Sequence, residues 1–162
     1  MWSPDRRTVL MGALALAGCG FTPTYGPAGG GAKLLGQVRP DDPTGPDGFA
    51  FNRRISERLG PAGDGARYAL AVTRDVQSAA QGITANQAIT RYALNGTADW
   101  RLTEAATGRV LAQGRVSSFS SHSATGTTIA TLTAERDARE RLMVMLADQV
   151  VTRLLAAAPT LP

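Results

Sequence analysis

The sequence predicts an α+β fold: a roughly four-stranded, largely antiparallel sheet with two helices packed on one face, in the order strand, helix, three-strand meander, helix. Three observations lead there. Across residues 66–76 and 92–102, apolar and polar side chains alternate, which is the period of a strand with one buried face. Residues 47–59 and 134–154 instead repeat apolar side chains three and four apart, the spacing of amphipathic helices. A sheet with one apolar face must be covered, and two such helices suffice.

Taken in order, Leu34-Leu35-Gly36-Gln37-Val38 is a short apolar patch between chain breakers and predicts the first strand. Asp47-Gly48 can start a helix in which Phe51, Ile55 and Leu59 share a face until Gly60-Pro61 stops it. Tyr68, Leu70, Val72 and Val76 then form the inward set of a strand. The clearest strand follows, with Tyr92, Leu94, Gly96, Ala98, Trp100 and Leu102 on one side and Arg91, Asn95, Thr97, Asp99 and Arg101 on the other. Glu104 to Gly108 supplies a turn, and Val110 to Val116 returns as the paired strand. Ser117 to Thr128 is rich in Ser, Thr and Gly and reads as a connection, with His122 an exposed loop residue. From Ala134 the chain favours helix, with Ala138, Leu142, Met145, Leu146, Val150 and Leu154 on one stripe. If the first strand lies parallel beside the second, its helical crossover should be right-handed.

The chain has 162 residues, 17 basic and 13 acidic side chains and 43% hydrophobic residues, the profile of one globular domain with a tail. A net charge of +4 with scattered arginines lacks the clustered basic face that nucleic acid requires, so no nucleic-acid partner is expected. One Cys and one His leave no disulfide framework and no zinc ligand set, and neither a metal nor a cofactor is expected.

Arg6 and Arg7 precede the apolar run Thr8 to Ala17, which ends in Leu16-Ala17-Gly18-Cys19. This is the shape of a secretory signal closed by the lipobox of bacterial lipoproteins, and it is too short to span a bilayer. Residues 1–18 are accordingly expected to be a signal peptide, with Cys19 the lipidation site. Two or more acyl chains, palmitate among them, would anchor the protein without a transmembrane helix. Sec and twin-arginine export both remain open for Arg6-Arg7. Residues 19–32 are expected to form a lipidated Gly/Pro-rich tether and 33–158 a single domain, although breakers continue to Pro46. Gly20 follows the Cys where an Asp would favour inner-membrane retention, which points to the outer membrane.

Catalytic patterns are hard to find. The serines around His122 have no G-x-S-x-G elbow, Asp41-Asp42 lie in a Pro-rich stretch, and Asp137 and Glu140 are interleaved with arginines as in surface ion pairs. No catalytic residue is assigned. An envelope hydrolase would need His122. Arg74, Arg91, Arg101 and Arg115 fall on strand positions that could point away from the helices. Sheet-borne arginines can grip phosphates or sugar acids bidentately, or form a solvated face with cross-strand pairs such as Asp99 to an Arg.

The lipobox followed by Cys19-Gly20-Phe21-Thr22-Pro23-Thr24-Tyr25, the strand-helix-meander-helix body, Gln87-Ala88-Ile89-Thr90-Arg91-Tyr92 and Ala134-Glu135-Arg136-Asp137-Ala138 together resemble the LptE lipopolysaccharide-assembly lipoproteins of alphaproteobacterial type. That resemblance implies a non-enzymatic, periplasm-facing lipoprotein of the Gram-negative outer membrane. It would partner the LptD β-barrel as plug and assembly factor in lipopolysaccharide transport. Basic residues on the sheet of such proteins contact the anionic glycolipid, and Arg91 alone stands at a matching place; Arg101 and Arg115 are contact candidates from their strand positions. An auxiliary lipoprotein of an ABC-type lipid transport system is the alternative, with partners at the inner membrane.

Overall fold

The computed structural model describes residue 26 and residues 30–83 and 88–162. Their order is β1 (Val38–Pro40), α1 (Gly45–Leu59), β2 (Tyr68–Ile83), β3 (Ile89–Glu104), β4 (Val110–Ser123) and α2 (Thr128–Ala157), with short 3-10 turns at Gly30–Lys33 and Ala158–Thr160. The strands form one sheet in the order β1-β2-β3-β4. Strand β1 runs parallel to β2 while β2, β3 and β4 are antiparallel, so the expected mixed α+β sheet with two helices is what the chain forms.

Side-chain alternation along the meander sorts residues cleanly. Even-numbered positions such as Tyr68, Leu70, Leu94, Trp100 and Leu102 face the helices and are buried. Opposite them, α1 contributes Phe51, Ile55 and Leu59, and α2 contributes Leu142, Met143, Leu146, Val150, Val151 and Leu154. Fully burying such a side chain is worth about 1.5–3 kcal/mol, so this interface is where the fold gains most of its stability. Helix α2 is long and apolar enough to cross a membrane by length and composition. Its apolar stripe is instead consumed by β3, β4 and α1, as in the core helix of a globular domain.

Two glycines permit this packing. A Cβ at Gly96 would lie 3.0–3.1 Å from Leu142 and Leu146, and one at Gly114 would lie 3.1 Å from the Trp100 ring. Their missing side chains let α2 settle onto β3 and let the indole lie across β4.

Several expectations change. The first strand is Val38–Pro40, because Leu34 turns inward with the preceding 3-10 turn, which packs against Ala158–Thr160. Lys33 donates to the Leu161 carbonyl and the Tyr68 hydroxyl to the Pro162 carbonyl, tying the two ends of the described body together. Strand β4 continues through Ser123 where a loop was expected. The serines there alternate with Phe119 and His122 in the pleat, and pairing with β3 outweighs their weak strand propensity. Helix α2 begins at Thr128, a turn and a half before Ala134, where the Thr127 hydroxyl caps the Ala130 N–H. Met145 lies at the margin of the α2 stripe and is more than a third exposed, its place inward taken by Met143.

Candidate functional site

The helix-free face of the sheet carries the odd-numbered side chains, and apart from Phe119 these are mostly small or polar: Ala71, Thr73, Gln77, Thr97, Gln113 and Ser117 among them. Arg101 and Arg115 meet there. Register places Arg115 opposite Asp99 and Gln113 opposite Arg101, so the two arginines are diagonal neighbours across β3 and β4. Arg115 is already engaged, its Nε and Nη2 donating to the two Asp99 carboxylate oxygens at 2.6 and 2.8 Å. This bidentate pair holds the Asp99 carboxyl below its ordinary value and raises the Arg115 guanidinium. The Arg101 side chain forms no hydrogen bond or ion pair among the described residues. It borders a shallow depression of about 620 Å³ that is also lined by Ala71, Thr73, Asp99, Trp100, Gln113 and Gly114. An open guanidinium above a floor of small polar groups can take a phosphate or carboxylate from solvent at little cost in rearrangement.

Arg91 sits elsewhere. It pairs with Gln81 and Ser123 at the hairpin end of β3, roughly 33 Å along the strand from Arg101 at about 3.3 Å per residue. It too is exposed and without a partner among the described residues. The sheet arginines therefore form two stations on one face. Arg74 leaves this set: its even position turns it to the helix side, where its guanidinium lies 5.2 Å over the Phe51 ring beside Gly48. Its parity with Val72 and Val76 was the signal for that placement.

His122 is also corrected. It is buried at 7% exposure on the helix side of β4 and stacks on Tyr92 with ring centroids 5.5 Å apart. It packs as a flat aromatic edge of the core, with the neighbouring odd-numbered serines turned to the other face. Cys19 lies outside the described residues.

Two features had escaped sequence reasoning. Phe119 is 74% exposed on the polar face of β4, and its place in the alternating Ser-Phe-Ser run was hidden by reading that stretch as a loop. The seam between α1 and α2 holds a groove of about 740 Å³ where exposed Phe49 lies beside Arg53, Arg136 and Arg139. Glu140 pairs with Arg53 at 2.5 Å and Asp47 with Arg139 at 3.0 Å, so most of the charge in that groove is neutralised.

This architecture has counterparts among solved structures. A Caulobacter crescentus protein described as a lipoprotein superposes with a TM-score of 0.67 at 22% identity, covering 82% of this chain and 98% of that one. Rare lipoprotein B from Shewanella oneidensis gives 0.54 at 10% identity, covering 74% and 92%. A minor lipoprotein from Acinetobacter baumannii gives 0.53 at 15% identity, covering 76% and 93%. At these identities the likeness establishes the fold. None of the curated proteins matches the sequence. The family model described as LptE, lipopolysaccharide-assembly, matches residues 37–154, from the residue before β1 to the last turns of α2. The chain belongs to the LptE family. The matched span contains every strand, α1, all of α2 but its last three residues, and all three sheet arginines named as contact candidates.

Proposed function

We propose that this LptE-family protein is a non-enzymatic outer-membrane lipoprotein of the lipopolysaccharide transport machinery. Cys19 carries the acyl anchor, the folded body faces the periplasm, and an LptD-like β-barrel is the partner that it plugs and helps to assemble. Lipopolysaccharide is the ligand of the polar sheet face, through Arg91 at one end and Arg101, with Arg115 beside it, at the other. The observation that carries this reading is the family match over residues 37–154. The exposed, unpaired state of Arg91 and Arg101 supports the sheet face as the surface for an anionic glycolipid.

The test is isolation of the C-terminally tagged protein from its own membranes in mild detergent. A large β-barrel recovered at roughly one-to-one stoichiometry is the expected result. Inner-membrane transporter subunits in its place would transfer the protein to an ABC-type lipid transport system. Recovery of the chain alone would remove the plug reading.

A further inference from the structure

The two edges of the sheet are treated differently. In β4 the odd-numbered backbone groups point away from β3, and α2 runs alongside and reaches two of the carbonyls, Gln149 donating to Ser117 at 3.0 Å and Arg141 to Ser121 at 3.5 Å, with the exposed Phe119 ring between them. At the other edge β1 is only Val38–Pro40 and pairs with β2 no further than Leu70. The even-numbered groups of β2 face that side, because the Tyr68 N–H donates to Gln37 and the Leu70 carbonyl accepts from Asp41. One more is occupied by a side chain, the Val72 N–H donating to Asp41 Oδ2 at 3.2 Å. From Arg74 to Ala80 the outward N–H and C=O groups have no partner among the described residues.

Exposed edges are ordinarily protected by prolines, charges or a covering element. Residues 74–80 contain no proline, their only charges are Arg74, which turns onto the Phe51 ring, and Asp75, which accepts from Gln77, and Ser78, Ala79 and Ala80 leave the backbone uncovered on both faces. A row of donors and acceptors repeating about every 7 Å is matched only by another extended backbone, and side chains this small do not obstruct its approach. A second copy of the chain is a poor occupant. Two-fold antiparallel pairing would centre on Gln77 and overlap only residues 74–80, since Asp41 and β1 block what precedes them. So short an overlap of small side chains falls well below the about 1,200 Å² of a stable interface. The occupant must already be held against this protein by other contacts.

We propose that the open edge of β2 from Arg74 to Ala80 is a β-augmentation site that receives an extended segment of the barrel partner as a fifth strand. This rests on the partner reading given above.

The experiment is amide-resolved hydrogen exchange on the isolated protein and on the complex purified from membranes. In the isolated protein, Arg74, Val76, Ser78 and Ala80 are expected to exchange freely while Asp75, Gln77 and Ala79, bonded to β3, exchange slowly. In the complex the even-numbered amides should slow by at least tenfold, erasing the alternation. A complex in which these amides still exchange as in the free protein overturns the site while leaving the partner reading intact. Failure to recover any barrel overturns that reading, and with it the occupant named here. Ser78→Pro removes one outward donor and leaves the bonds to β3 in place. It should lower recovery of the complex severalfold without shifting the melting midpoint of the isolated protein by more than a few degrees. Unchanged recovery would count against the site.

Discussion

Gly96 shows how closely single atoms are set in this fold, since a methyl group there would meet Leu142 and Leu146 at 3.0–3.1 Å. Gly96→Ala is expected to cost about 1–3 kcal/mol by forcing α2 outward, read as a lowered melting midpoint. On the opposite face, Asp99 and Arg115 form a pair whose pH behaviour follows from the direction of its shifts. The Asp99 carboxyl is held below 3.8 chiefly by the hydrogen bond from Arg115. A depressed carboxylate contributes stability above its unfolded-state value and loses it as pH falls through the lower folded value, so the pair matters above about pH 4 and fades in acid. An NMR titration should find the Asp99 carboxyl below its ordinary value in the wild type and returned toward 3.8 in Arg115→Gln. For ligand contact, Arg101→Glu and Arg91→Glu should each weaken lipopolysaccharide binding roughly three- to tenfold, the size of effect expected for single exposed charges. Arg115→Glu would leave two carboxylates facing each other and should weaken both binding and stability. Equal binding by all three variants would remove the sheet face from contact.

At the scale of elements, α1 and α2 are joined by a charged seam over a shared apolar one. Asp148 accepts from Arg54 and Arg58 at 2.7–3.0 Å, and Arg53 reaches Glu140. These groups are partly exposed, and each such pair is worth about 0–1 kcal/mol and is screened by salt. Asp148→Ala should therefore lower the melting midpoint by only a few degrees in low salt, with the difference shrinking at high salt. Leu146→Ala on the same helix removes fully buried volume and should cost about 2–5 kcal/mol at any salt concentration. Comparing the two variants separates what aligns the helices from what holds them. The helix that the sequence placed from Ala134 starts earlier because Thr127 caps it and its first turns need no buried face: Ile129 and Leu132 are exposed there. Periodicity finds a helix where it packs, and the unpacked first turns left no periodic trace.

Considered whole, the described body has one continuous core shared by sheet and helices, with Trp100 between β3 and β4 as a reporter inside it. Helix loss followed by circular dichroism and core loss followed by Trp fluorescence should coincide in a single transition. Two separated midpoints would mean that α1 and α2 detach before the sheet melts. Alternation and helical spacing, which are local, determined the fold class, the meander, the inward faces of β2 and β3, and the Asp99 cross-strand pairing with an arginine; the order of short motifs determined the family resemblance. Tertiary structure alone decided what depends on partners distant in the chain. Ser-rich β4 became a strand because β3 supplies its hydrogen bonds, and His122 became buried because Tyr92 stacks on it. Arg115 joined Arg101 at one station, and its charge was taken up by Asp99, because the register of β4 on β3 sets those neighbours. Among the described residues the edge of β2 is likewise open because β1 stops at Pro40, and where a paired strand ends is not written in its own sequence.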